Sequence, residues 1–260
     1  MGKKYPKPSK QDRKGIADGI AAGTFHPNVF VTLMRCLREK LDQSIRRGSV
    51  TPLMHFTYEH FEKSASRLSC GNMACRDGCS HCCNIWTDAY APEILFVAKQ
   101  LPASSETQAS SIIKDTGEFS ANVSFEQRDK LPIPCPLLID NSCSAYRIRP
   151  LNCRTAVSLD ADACRMAFIE GQDIEIPVPP GWANLGQIYS MSLKGAIFHA
   201  GLACEPYEWN SALKLASENS QLEQQWLSGK DVFGHVPVAA PRPPFTHPFW
   251  RNLYDRAFTV

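Results

Sequence analysis

The chain has 260 residues, 43% apolar and 21% charged, which allows a sizeable hydrophobic core and describes an ordinary globular protein of one large or two small domains. A net charge of +2 creates no demand for a nucleic-acid partner. The basic start, from Lys3 to Lys14, is followed by no apolar stretch at signal-peptide distance, and no apolar run is long enough to span a bilayer; the expected location is the cytoplasm, without a membrane partner.

Residues 1–27 carry Lys, Gly and Pro and read as a loose terminus. Phe30, Leu33, Met34, Leu37, Leu41 and Ile45 then recur at helical spacing, with Asn28 as N-cap and Gly48 just past the end. A second helix opens with Thr51 as N-cap and Pro52 in the first turn, and runs to about Leu68, burying Leu53, Phe56, Phe61 and Leu68. Together these make an N-terminal helical hairpin within residues 1–69. A helix is expected from Pro92 to about Leu101, and the Ser-rich residues 103–111 read as a loop or helix cap. Residues 131–136 hold too much proline for a helix interior, so turns and short helical pieces are expected from there to Cys153. After a proline-rich break at 172–181, helix returns over about 182–203, 206–217 and 221–227. The tail beyond Val236, with Pro241, Pro243 and Pro244, reads as a strap burying Phe245, Phe249 and Trp250. The expected fold class is mainly α, with an irregular cysteine-rich metal-binding core and few or no strands. The expected division is 1–69, 70–165 for the cysteine-cluster segment, and 166–260 for a C-terminal helical region.

The chain holds 11 cysteines, an odd number. In a reducing compartment disulfides are disfavoured, and metal binding or redox chemistry becomes the leading account. The first block reads Cys75, Cys79, Cys82, Cys83, a C-x3-C-x2-C-C spacing, and Gly78 would let the backbone fold tightly around an ion. The second holds Cys135, Cys143 and Cys153, spaced too widely for a knuckle alone but suited to fold back onto the first; Asp140, Asn141 and Ser142 read as a turn between them. Thiolates bind zinc, copper(I) and iron–sulfur clusters. Seven cysteines exceed the four of a structural zinc, and the adjacent Cys82 and Cys83 do not point the same way. One is then structural, or the site is polynuclear, or two sites lie side by side. An iron–sulfur cluster also takes four cysteines, so the count does not choose the metal.

Cys36, Cys164 and Cys204, isolated in helical stretches, read as small buried hydrophobes. Cys70 stands between an extra ligand and a helix-end residue. Arg147, Arg149 and Arg154 lie among the second-block cysteines, where Arg149 and Arg154 would offset thiolate charge. His81 lies inside the cluster as a ligand or a surface loop residue. His55, Glu59 and His60 do not form an H-E-x-x-H site and read as helix surface, while His199 and His247 read as structural. There is no Walker phosphate loop, no G-x-G-x-x-G fingerprint and no nucleophile elbow, which disfavours a nucleotide-dependent enzyme.

The two blocks in this order resemble the bacterial YkgJ-like, or CxxCxxCC, family of zinc- or iron-chelating proteins. The resemblance rests on Cys75, Cys79, Cys82 and Cys83, with Glu93 on the following helix. It continues through Cys135, Leu138, Cys143, Tyr146, Arg149, Pro150, Cys153 and Arg154, and covers about residues 70–165. The first gap holds three residues where the family label has two. The resemblance implies a protein that chelates zinc or iron through cysteine thiolates. It extends to flagellin lysine N-methylases, where a similar cluster is tied to an iron–sulfur centre, which makes an iron–sulfur-dependent protein methyltransferase one alternative. A zinc-stabilised module docking an unknown protein partner through its helical ends is another.

Overall fold

The computed structural model describes residues 4–21, 26–68, 71–76, 78–101, 108–128, 131–238 and 245–259. The helices are α1 (Lys10–Ala21), α2 (Pro27–Arg47), α3 (Thr51–Ala65), α4 (Ala91–Ala98), α5 (Gln108–Ala121), α6 (Phe125–Arg128), α7 (Leu151–Thr155), α8 (Ala161–Phe168), α9 (Trp182–Ala200), α10 (Trp209–Glu218), α11 (Leu222–Leu227) and α12 (Pro248–Phe258). The strands are β1 (Asp88–Tyr90), β2 (Leu138–Ile139), β3 (Ser142–Cys143) and β4 (Pro206–Glu208). The fold is mainly α, as expected; among the described residues the strands form only two short antiparallel pairs, β1 with β4 and β2 with β3. No helix of the described residues is long and apolar enough to cross a membrane.

The centre of the molecule is α2 lying along α9, with α3 packed against both. The periodic residues Phe30, Leu33, Met34, Leu37 and Leu41 are wholly buried, but Ile45 turns outward with 37% exposure. The helix starts with His26 as N-cap, not Asn28, because Pro27 already holds the first-turn φ. Gly48 closes it in the left-handed conformation. α3 likewise begins one residue early, Val50 serving as N-cap where Thr51 was expected. The Ser64 and Tyr189 hydroxyls share a buried 2.9 Å hydrogen bond between α3 and α9. One cluster of buried apolar side chains runs from Ile16 to Phe258.

Three expectations need correction. Residues 10–21 are helical, not loose, and Ile16 of α1 is buried. Helix α5 begins at Gln108, inside the stretch read as a loop; residues 102–107 lie outside the described residues. The tail is the helix α12 rather than an extended strap. Phe245 is buried and Trp250 packs on Phe30, but Phe249 is 44% exposed. Pro241, Pro243 and Pro244 lie outside the described residues. His199 is structural: it accepts a 3.2 Å hydrogen bond from Arg38 and stacks on Phe258. His247 caps α12, its ring accepting from the Phe249 N–H.

Strands β1 and β4 position the cysteine region. Each runs straight into a helix, β1 into α4 and β4 into α10, and each junction carries a buried carboxylate that caps a helix. Glu208 accepts from the N–H groups of Asn210 and Ser211 at the start of α10. Glu93 accepts from the Tyr90 N–H at the start of α4 with one oxygen. Its other oxygen accepts from Leu151, at the start of α7.

Candidate metal centre

The first cysteine block is a chain of tight turns. The Cys79 N–H donates to Arg76 O at 3.0 Å, and the Cys83 N–H to Ser80 O at 2.9 Å. Gly78 has a φ of 84°, a conformation that disfavours side chains. A 3-10 turn over His81–Asn84 follows and carries Cys82 and Cys83. His81 opens this turn and is half-buried.

The second block folds back as the spacing requires. The Cys135 N–H donates to Cys83 O at 2.7 Å, and the Ile133 N–H to Asn84 O at 3.0 Å. These two bonds lay residues 133–135 alongside residues 83–84. Asp140 and Asn141 both have positive φ, at 48° and 62°, and turn β2 into β3, bringing Cys143 back opposite Leu138. Cys153 lies on α7, whose first N–H is held by Glu93 at 2.7 Å. Cys75 is fixed by Ser158, whose N–H donates to its sulfur at 3.3 Å.

The thiols meet electrostatically around Cys82. The Cys83 side chain hydrogen-bonds Cys82 and, with burial, pushes its thiol far up. Burial raises Cys75, and the charges of Cys79 and Cys82 raise it further. Burial raises Cys143, with Cys82 adding to it. Burial raises Cys153 strongly, followed by the charges of Cys135, Cys82 and Cys143. Cys135 is pushed up to about 11, again mainly by burial. Cys135 and Cys153 keep part of their surface open, yet protein atoms crowd their sulfurs. The structure thus brings all seven expected cysteines into one neighbourhood.

Of the three arginines, Arg149 serves the sulfurs. Its charge lowers Cys75, Cys82, Cys143 and Cys153 alike, while its guanidinium lies 3.8 Å from the Tyr146 ring and donates to Tyr146 O. Arg154 is turned toward the scaffold instead. It pairs with Glu62, lies over the Tyr58 ring at 4.0 Å, and donates to the carbonyls of Arg149 and Arg147. It shapes the turn before Cys153, and the expectation of a thiolate partner does not fit it. Arg147 is exposed.

Cys164 is a buried helical residue, as expected, but it does not stand apart from the other thiols. It is buried on α8, which packs on the 3-10 turn, and its thiol feels the charges of Cys75, Cys82 and Cys79. The clue available was its lone place close behind the second block, which spacing alone does not distinguish from a core position. Cys36 and Cys204 are buried in the core, as expected. Cys70 lies outside the described residues.

Among the described residues, no three Cys, His, Asp or Glu side chains already stand in an arrangement that could hold a metal ion. The chemistry of the donor set nevertheless fits a thiophilic cation. Packed neutral thiols of raised pKa lack the positive charge that would let them ionise together. The indole N–H of Trp209 points the same way: it is buried without a hydrogen bond of normal geometry, yet lies where it favours the Cys135 thiolate. No disulfide forms among the described cysteines.

Thiols thus converge from two distant segments of the chain. Residues 74–169 match the CxxCxxCC family model, described as "Putative zinc- or iron-chelating domain". This bears out the resemblance drawn from the two motifs. No curated protein and no solved structure matches the chain.

Proposed function

We propose that this protein chelates a zinc or iron centre through residues 70–165, framed by helical segments at 1–69 and 166–260. Its ligands are drawn from Cys75, Cys79, Cys82, Cys83, Cys135, Cys143 and Cys153, with Cys164 as an eighth thiol. The observation that carries this reading is the gathering of thiols from both blocks around Cys82. A bound cation supplies the positive charge that lets those thiols ionise, and proton release accompanies binding. The chain contributes the turns that aim the sulfurs, the Arg149 charge that offsets part of their own, and the Glu93 cap that holds the helix of Cys153. Eight thiols exceed the needs of a single tetrahedral ion, which favours a polynuclear centre or paired sites. A cluster of this many free thiols is kept intact by a reducing compartment, and the cytoplasm is the location that this reading takes.

The test is anaerobic purification under reductant, followed by elemental analysis and a visible spectrum. Stoichiometric zinc with no colour, or iron with broad sulfur-to-iron absorption, supports the reading and names the metal. Preparations that carry neither metal, and take up neither on anaerobic reconstitution, would end it.

A further inference from the structure

Cys135 enters the cluster on a segment with little regular structure, flanked by Pro134 and Pro136. What holds it is side-chain chemistry from outside the cysteine motif. Arg128, the last residue of α6, is 2% exposed and makes no ion pair with a carboxylate among the described residues. A buried cation of that kind is costly unless its donors are satisfied. Here the two Nη groups go to main-chain oxygen, Nε has no hydrogen-bond partner, and the buried Glu208 carboxylate offsets part of the charge. Nη1 donates to Asn84 O at 3.1 Å and Leu131 O at 2.6 Å, and Nη2 to Ile133 O at 2.8 Å and Ile85 O at 3.4 Å. One guanidinium therefore grips the chain leaving Cys82 and Cys83 and the chain approaching Cys135. The bonds Ile133 N–H to Asn84 O and Cys135 N–H to Cys83 O lie next to that grip.

Trp209 closes the other side. It opens α10, beyond the family segment, and its main-chain N–H is held by Thr87 O at 2.9 Å. Its indole N–H is buried without a hydrogen-bond partner, and it acts to lower the raised Cys135 thiol. A neutral thiol is a poor acceptor for it; a thiolate is a good one.

We propose that Arg128 and Trp209 seat Cys135 in the metal centre, Arg128 as the positioning residue that locks the two cysteine segments together and Trp209 as the donor to the metal-bound thiolate. This rests on the chelation reading above. Arg128 sets where the sulfur sits, because its planar fork spans carbonyls on both segments in a way that a point charge does not reproduce. Trp209 sets how much negative charge that sulfur carries, which acts on metal affinity and spectrum.

The experiment uses the full chain, freed of metal and titrated anaerobically with Co²⁺, whose thiolate charge-transfer and ligand-field bands report ligand geometry. Wild type comes first. If it takes up no Co²⁺ and no zinc, the chelation reading fails and this inference falls with it. If it binds, Trp209→Phe is expected to keep the far-UV spectrum, lower the melting temperature as a buried side chain is trimmed, weaken Co²⁺ about tenfold and shift the charge-transfer band. Arg128→Lys keeps the charge and loses the fork; it is expected to weaken Co²⁺ about 10- to 100-fold with altered ligand-field bands. Arg38→Lys, at an equally buried arginine in the scaffold, is the control and is expected to change stability without changing the Co²⁺ spectrum. Wild-type Co²⁺ affinity and bands in Trp209→Phe overturn the Trp209 role, and in a folded Arg128→Lys they overturn the clamp. If Arg128→Lys does not fold, Trp209→Phe alone decides, and an unchanged spectrum overturns the proposal.

Discussion

Helices α2 and α9 and the loop over residues 71–88 belong to one chain yet are buried to opposite extents. Along α2, Phe30, Leu33, Met34, Leu37 and Leu41 have no exposed surface. From 71 to 88, no described residue is buried. The first region is held by apolar area removed from water, which needs only period and fit. The second is held by turn hydrogen bonds, by hydrogen bonds to 131–135 and Ser158, and by the edge contact of Trp86 with Phe125. Hydrogen bonds of that kind contribute little net stability each. The contrast teaches that the scaffold stands by itself, whereas the cysteine loop needs another source of stability, and a bound metal supplies one.

Metal removal gives the largest expected effect. Structural zinc in small domains contributes about 10–16 kcal/mol of apparent binding free energy, and here that energy would be concentrated in the loop. Chelation under reductant should abolish hydrogen-exchange protection at the Cys83 and Cys135 amides while leaving α2 and α9 protected. Uniform loss of protection across both regions, or none in either, would break the comparison. Truncation of the scaffold gives the reverse. Leu37→Ala removes a wholly buried side chain and should cost about 2–5 kcal/mol in denaturant unfolding. Metal stoichiometry should stay at the wild-type value, and a matching fall in metal content would show that the two regions are not separable.

Glu93 sits where the regions join, and its titration sharpens the boundary. Burial pushes its carboxyl up to about 7, against an ordinary 4.5; the Leu151 and Tyr90 N–H groups and Arg154 oppose the rise, and Asp88 adds to it. Tyr58 also faces it, its hydroxyl 3.5 Å from the carboxylate. The folded protein therefore keeps a proton that the unfolded chain releases. The stabilisation is complete below the ordinary carboxylate pKa and is lost as pH rises through about 7. The full difference is on the order of 3 kcal/mol. Subtracting the stability profile of Glu93→Gln from that of wild type, both saturated with metal, cancels the cysteine contributions. The difference should fall between about pH 5 and 8, and a flat difference would remove Glu93 from the junction.

The legible parts of this protein are those where one local rule decides. The period of α2, the proline opening of α3 and the turn at Asp140 and Asn141 were all readable, because helix phase and turn chemistry are written in neighbouring residues. Helix α1 was not: its sequence is charged and Gly-bearing, and among its described side chains only Ile16 is buried. Helix α5 mixes Ser, Thr and Gly into its length and is stabilised by packing on α10, which propensity does not see. In the site, the cysteine spacing pointed to the right neighbourhood. Arg128 and Trp209 left no pattern, since one acts through main-chain carbonyls that every residue has and the other through an indole that reads as core. Arg154 was misread because its place beside Cys153 says nothing of which way the side chain turns.

The smallest expected effect tests how closely the scaffold is fitted. Helices α2 and α9 lie close at Gly195, where an added Cβ would lie 2.6 Å from the sulfur of the buried Met34 and 3.1 Å from its Cγ. The contact is with a flexible side chain, so the helices need not separate, but Met34 has no open space to turn into. Gly195→Ala should therefore destabilise by about 1–3 kcal/mol, the cost of overpacking less the gain in helix propensity. Because the strain lies in the apolar layer and not among the turns of residues 71–88, the Co²⁺ spectrum should be unchanged. A stabilised variant would mean that α2 and α9 have slack at their crossing. A shifted spectrum would mean that their spacing reaches the sulfurs, through α7, which packs on α9 and carries Cys153.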